Sequence, residues 1–445
     1  MKALRGRLFH LLGRSALDPQ PQYLDDGLLI INDEGLISAL GEAETLLPSL
    51  PAGCDVQDHR PYWILPGFID AHTHFVQLDI IASYGETLLS WLERYTFPAE
   101  EKFLSEELSR DTAHYFLRTM LSHGVTTASI FASVHQASCE ALFSEAEKLG
   151  MRILAGKTLM NRNAPTTLVR YDLNGKDLEA TRTLIERWHG RGRLCYSLTP
   201  RFAPTSTEDQ MRWVGDLFQD SIYKKGAIAP PLFLQSHLAE NTEECRWVSS
   251  LYPRSESYCQ VYDHFGQLGS GAIMGHCIYF NDKDRLLMAD RGASIAFCPS
   301  SNLFLGSGLF DLQSAVLAGI KVGLGTDVGA GTSMSMLKTM LNAYQVSKLR
   351  GQTLSPEGAF FLATLGSAQA LGLDRCIGNF APGKEADIQV INPASIDILE
   401  RRLQTTNSLS EDLFALLSLG DERCLVTTYL KGQETPFVKD LKPHP

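Results

Sequence analysis

Two histidines one residue apart close an apolar run in the stretch Pro66-Gly67-Phe68-Ile69-Asp70-Ala71-His72-Thr73-His74-Phe75-Val76-Gln77. On a β-strand alternate side chains share a face, which would set Phe68, Asp70, His72 and His74 on one side and Ile69, Ala71 and Thr73 on the other. Both imidazoles then converge at the strand's C-terminal end, and that convergence suits a metal ion. A His-x-His pair is equally at home on a half-exposed strand surface, so its meaning depends on what else meets it.

Three more positions repeat the pattern. After the run 232–236 come His237-Leu238-Ala239-Glu240, after 272–274 come Gly275-His276-Cys277, and after 322–326 comes Asp327. Any one of these reads as a satisfied core histidine or a capping aspartate. Five ligand-type groups at one structural level, His72, His74, His237, His276 and Asp327, read as one site. By contrast His114, His123, His135, His189 and His264 fall on helical stretches or turns, and His10, His59 and His444 fall near the chain ends; all eight read as packing or surface residues.

The elements that must position those groups alternate between short apolar runs and helix-length amphipathic stretches. Residues 101–123 and 136–149 look helical, while 125–130, 152–156, 194–198, 232–235, 272–274, 294–297 and 322–325 look like strands. Alternating β and α elements imply a parallel sheet, and this count suits a (β/α)8 TIM-type barrel over residues 66–376. The C-terminal ends of such strands are where barrels of this kind place their chemistry. Outside the barrel, residues 1–65 carry apolar runs punctuated by Asn32-Asp33-Glu34-Gly35, which is hairpin chemistry, and 386–393 and 425–430 repeat the pattern. A small β-sandwich domain built from both chain ends, 1–65 and 377–445, is therefore expected.

Composition narrows the function. The chain has 445 residues, 44% of them hydrophobic, with a formal net charge of -11, which argues against nucleic acid or an anionic membrane as a general partner. The nine cysteines are scattered and form no Cys-x-x-Cys pair, as expected for reduced thiols of a cytoplasmic protein. The apolar run 8–12 is too short and interrupted for a signal peptide, and nowhere do eighteen apolar residues run together.

The Pro-Gly-Phe-Ile-Asp-x-His-x-His opening, the Ser-His-Leu-Ala-Glu stretch at 236–240, Gly-His-Cys at 275–277, Cys298-Pro299-Ser300-Ser301-Asn302-Leu303, Gly-Thr-Asp at 325–327 and Pro-Gly-Lys-Glu-Ala-Asp at 382–387 together resemble the amidohydrolase superfamily. Within it, the stretches 84–92, 95–100 and 199–205 are similar to those of guanine deaminases. The resemblance implies a zinc-dependent hydrolase that converts guanine to xanthine and ammonia, with His72, His74, His237 and Asp327 on the metal. His276 would either complete the shell or hydrogen-bond the water. Binuclear relatives use a modified lysine at a middle strand end; residues 194–200 contain none, so one zinc per chain is expected. A homodimer acting on a small nucleobase is the expected assembly.

For the chemistry, the resemblance implies that Asp327 accepts the water's proton and that Glu240 protonates a ring nitrogen and then helps ammonia leave. Glu240 could instead be a carboxylate at the positive end of a helix. Gln77 both donates and accepts, Arg201 offers fixed donors suited to a purine carbonyl, and Phe202 could stack on the ring. Trp91 is a weaker candidate for the same pocket. The His-x-Glu and Pro-Cys-x-x-Cys elements of the other zinc deaminase scaffold are missing. Two alternatives stand beside this reading: a relative acting on a pterin, an oxidised guanine, cytosine or a triazine, and a metal-free barrel that only binds or scaffolds.

Overall fold

The computed structural model describes residues 1–85, 87–169, 175–224 and 230–435; His444 and Glu86 of the motifs above lie outside them. Eight parallel strands form the barrel: Phe68–His74, Val125–Phe131, Arg152–Gly156, Leu194–Pro200, Phe233–Leu238, Ala272–His276, Ser294–Phe297 and Val322–Leu324, paired in that order. They are buried along almost their whole length, polar residues included, as strands covered on both faces are. A short extra strand, Thr158–Leu159, pairs with the fourth. The seam between first and last strands is joined at the C-terminal end, where Asp327 N–H donates to His72 O (2.9 Å) and His74 N–H donates to Val328 O (3.0 Å).

The barrel's first strand departs from simple alternation. Ile69 and Ala71 belong to the cluster filling the barrel interior, with Leu154, Cys195, Ile273 and Ala296. Phe68, expected on the same face as the histidines, instead meets Phe360 in the larger cluster (ring centroids 6.2 Å apart). Pairing with the second strand is irregular between Asp70 and Thr73, and such an irregularity re-aims the side chains beyond it. His72 and His74 therefore turn inward although Phe68 does not.

The helix Gln136–Leu149 lies where expected. The stretch 101–123 divides, because Ser105 Oγ accepts from Leu108 N–H (3.2 Å) and starts a new helix, Glu106–Ser122, after the shorter Phe97–Glu101 and a 3-10 turn at Lys102–Leu104.

Both chain ends build one continuous mixed sheet in the order Gln433–Glu434, Leu425–Leu430, Ile388–Ile391, Asp55–Pro66, Lys2–Leu11, Pro21–Ile31 and Ile37–Glu42. Register shifts in Lys2–Leu11 bend it, and side chains from distant strands (Leu4, Ile37, Ile64, Val390 and Tyr429) share one core. The hairpin turn is as read: Asn32 Oδ1 accepts from Glu34 and Leu36 N–H, and Gly35 has φ 77°. The Pro-Gly-Lys-Glu-Ala-Asp motif has a structural meaning. Glu385 pairs with Arg152 (2.7 Å) and Arg193 (3.0 Å), and Arg193 also pairs with Asp387, tying the sheet to the N-terminal end of the barrel. Between the last strands of this sheet the chain returns to the barrel, where Leu399, Leu413 and Leu416 of helices Asp397–Leu403 and Leu409–Leu419 join the main core. Among the described residues no helix is long and apolar enough to cross a membrane.

Candidate active site

Each ligand-type residue sits at or just beyond a barrel strand's C-terminal end, as its sequence position implied: His72 and His74 on the first strand, His237 on the fifth, His276 on the sixth and Asp327 after the eighth. His72, His237, His276 and Asp327 offer ligand atoms all within 4.8 Å of one another. His74 joins them, its Nε2 3.3 Å from Asp327 Oδ1 and 3.2 Å from His237 Nε2. His72 Nε2 is 3.4 Å from the same Asp327 oxygen. The backbone is left-handed at His276 (φ 71°) and Asp327 (φ 51°), a conformation costly to residues with a Cβ and typical of functional sites.

The donor chemistry fits a divalent cation. Arg201 O accepts from His237 Nδ1–H (2.7 Å), which leaves the lone pair of His237 Nε2 facing the cluster. Asn302 Oδ1 accepts from His276 Nδ1–H (2.8 Å), fixing that ring in the same way. Among the described residues, the buried Nε2 atoms of His72 and His276 have no hydrogen-bond partner. Burial pushes His74 down to about 3 and His237 well below its ordinary value, so both imidazoles are neutral at physiological pH, as ligation requires. Burial would also lower His276, but Glu240 and Asp327 outweigh it and hold the ring above its usual value. Convergent imidazole nitrogens with one carboxylate form the donor set that zinc takes.

Two glycines make the cluster possible. A Cβ on Gly275 would lie 2.8 Å from His72 Cε1, and one on Gly325 would lie 2.8 Å from His72 Cβ. The signal was in plain view, since glycine precedes the ligand directly at 275–276 and by two at 325–327.

Glu240 faces the cluster, its Oε2 3.4 Å from His276 Nε2 and its Oε1 accepting from Ser307 Oγ–H (2.9 Å). The helix that follows is capped by other groups. Asn241 and Glu244 form a capping box at the start of Thr242–Leu251, with Glu244 Oε2 accepting from the N–H groups of Glu240 and Asn241. Burial raises the Glu240 carboxyl above the usual carboxylate range.

A cavity opens over these groups, with Gln77, Trp91, Arg201 and Phe202 in its lining. Glu100, fully buried, organises this wall. Both its oxygens accept from Arg201 Nη1 (2.8 and 2.9 Å), and Oε1 also accepts from Gln77 Nε2 (3.0 Å). Gly329 N–H donates to Gln77 Oε1 (3.3 Å), so the amide's orientation is determined. Arg201 and Glu100 thus form a buried ion pair within the pocket wall. Glu100, Asn302 and Ser307 were missed as functional candidates, since their partners lie 101, 26 and 67 residues away.

The chain is similar to the guanine deaminase of Escherichia coli (strain K12), 41% identical over 438 residues and covering 97% of each chain. The solved E. coli guanine deaminase superposes with a TM-score of 0.92 over 98% of this chain and 99% of that one, at 41% identity. A guanine deaminase from C. acetobutylicum, solved with guanine bound in its active site, superposes with a TM-score of 0.86 at 29% identity over 97% and 99% of the two chains. The model of the amidohydrolase family matches residues 63–435, and with relatives this similar along nearly the whole length, the chain belongs to that family.

Proposed function

We propose that the chain hydrolyses guanine to xanthine and ammonia. The observation that carries this reading is one cavity in which a fixed donor wall, Arg201 and Gln77 held by Glu100, faces the histidine and carboxylate cluster. Full-length similarity to guanine deaminases supports it.

Guanine presents a carbonyl acceptor beside a ring N–H. The free N–H groups of Arg201 and the second lone pair of Gln77 Oε1 match that edge, and Phe202 supplies an apolar surface for the ring. Adenine, with an amine beside a bare ring nitrogen, would leave those donors unmatched, and such mismatches are rejected by about 10⁴-fold or more.

His72, His74, His237 and Asp327 would hold one zinc ion, with His276 alongside. When bound, such an ion supplies Lewis acidity that lowers the pKa of water from about 15.7 toward 7. Asp327 takes up the proton of the attacking water on a carboxylate oxygen. Glu240, whose carboxyl is raised by burial above the usual carboxylate range, delivers a proton to the ring nitrogen adjoining the reacting carbon. The exocyclic amine then leaves as ammonia after receiving, through Glu240, the proton that Asp327 took from the water, and the water's second proton restores Glu240 as the hydroxyl on the carbon becomes a carbonyl. Ser307 Oγ–H, donating to Oε1, orients Glu240 for both transfers.

The test is ammonia release by zinc-loaded protein from guanine, adenine, a pterin, an oxidised guanine, cytosine and a triazine. Turnover of guanine well above the others is expected. Preference for any other ring would overturn the assignment.

A further inference from the structure

The pairing of Arg201 with Glu100 is costly to explain as support alone. A fully buried carboxylate spends both oxygens on one guanidinium nitrogen, and the other guanidinium N–H groups have no hydrogen-bond partner among the described residues. The guanidinium also lies over the ring of Phe97, 5.6 Å from its centroid, in apolar surroundings where an unpaired charge would act strongly. Glu100 cancels that charge while leaving its N–H donors in place.

This matters for the two ends of the proposed reaction, on which the inference rests. Guanine enters as a neutral ring. Xanthine has gained a second carbonyl on its six-membered ring, which makes it the stronger acid and a partial anion near neutral pH. A lone guanidinium would bind that anion better than the substrate. We propose that Glu100 is a specificity-determining residue that keeps the pocket selective for the uncharged purine and against anionic oxopurines, its own product included. Glu100 acts through Arg201 and Gln77 and touches no reacting atom.

The experiment measures guanine kinetics and xanthine inhibition for zinc-loaded wild type and Glu100→Gln from mildly acid to mildly alkaline pH. In wild type, xanthine inhibition weakens as the pH rises and the product ionises. In Glu100→Gln it strengthens instead, and the ratio of the xanthine Ki to the guanine KM falls by about tenfold to a hundredfold, as expected for uncovering one charge a few ångströms from the ring. Loss of support alone would raise both constants together and leave the ratio and its pH trend unchanged, which would overturn the inference. Should Glu100→Gln fail to fold, Glu100→Asp, whose shorter side chain draws the charge back, is expected to give an intermediate ratio, and a wild-type ratio would count against the inference. Absence of guanine turnover in the wild type would instead refute the substrate reading, and equilibrium binding of xanthine to the same proteins would still test the role of Glu100.

Discussion

Replacing Gly275 by alanine drives a methyl group into the ring of His72. The added Cβ would lie 2.8 Å from Cε1, 3.2 Å from Nδ1 and 3.3 Å from Nε2. Carbon contacts relax near about 3.5–4.0 Å, so the ring must retreat by roughly 1 Å. It has little room, since ring centroids of His237, Phe131, His74 and His276 stand 4.7, 5.0, 5.1 and 5.6 Å away. Gly275 is not among the glycines with left-handed backbone, so the methyl clash is the whole perturbation. A displacement of that size at a catalytic constellation costs about a hundredfold in rate, or about 2.7 kcal/mol of barrier. Overpacking costs about 1–3 kcal/mol of stability besides. The expected result for Gly275→Ala is a folded protein by circular dichroism with a lowered melting temperature, weakened zinc binding in a chelator competition, and guanine kcat/KM down about a hundredfold. Zinc affinity and kcat/KM both within about threefold of wild type would show that the ring is not held in place, and the steric argument would fail.

Glu240→Gln should retain zinc yet lose on the order of a hundredfold or more in ammonia release, because the amide cannot carry the proton; near-normal turnover would remove Glu240 from the reaction. Arg201→Ala should keep its metal by elemental analysis while weakening guanine turnover, and an unchanged kcat/KM for guanine would exclude Arg201 from recognition. His10 ties the first strand to the C-terminal segment as a neutral ring, its Nε2–H donating to Gln22 Oε1 (2.9 Å) and its Nδ1 accepting from Phe380 N–H (3.2 Å). Burial lowers its pKa to about 4 from 6.5. The unfolded chain therefore binds the extra proton first, so this contribution is complete above about pH 6.5 and is lost as the pH falls toward 4, on the order of 3 kcal/mol in all. Urea melts at neutral pH and near pH 5 should show a smaller pH-dependent loss for His10→Gln than for wild type; equal losses would place the sensitivity elsewhere.

What could be read in the sequence was whatever a strand end announces locally. His237, His276 and Asp327 each follow an apolar run directly, and the barrel's period places such residues at one mouth without knowledge of any contact. Alternation is likewise local, and it misled at Phe68 because the irregularity between Asp70 and Thr73 is a property of the pairing with the neighbouring strand. Glu100 closes the stretch 95–100 noted above, yet its role was not legible for a similar reason: it sits in the short helix Phe97–Glu101, and its meaning lies in Arg201, 101 residues later. Helices Asp397–Leu403 and Leu409–Leu419 follow a strand of the terminal sheet, yet their apolar faces are completed by the barrel core, and no periodicity states which partner a face will meet.

The seam where the barrel closes carries a consequence for synthesis. Asp70 on the first strand accepts from the N–H and hydroxyl of Thr326, 256 residues later, one position before Asp327. A growing chain thus displays His72 and His74 long before their companions exist, on a strand with one open edge. The segment that follows the eighth strand supplies the missing carboxylate and joins that edge at its C-terminal end through the same few residues. Every molecule with a complete constellation is therefore one whose seam is already joined at that end, so the incomplete barrels open to edge-to-edge aggregation are also the inactive ones.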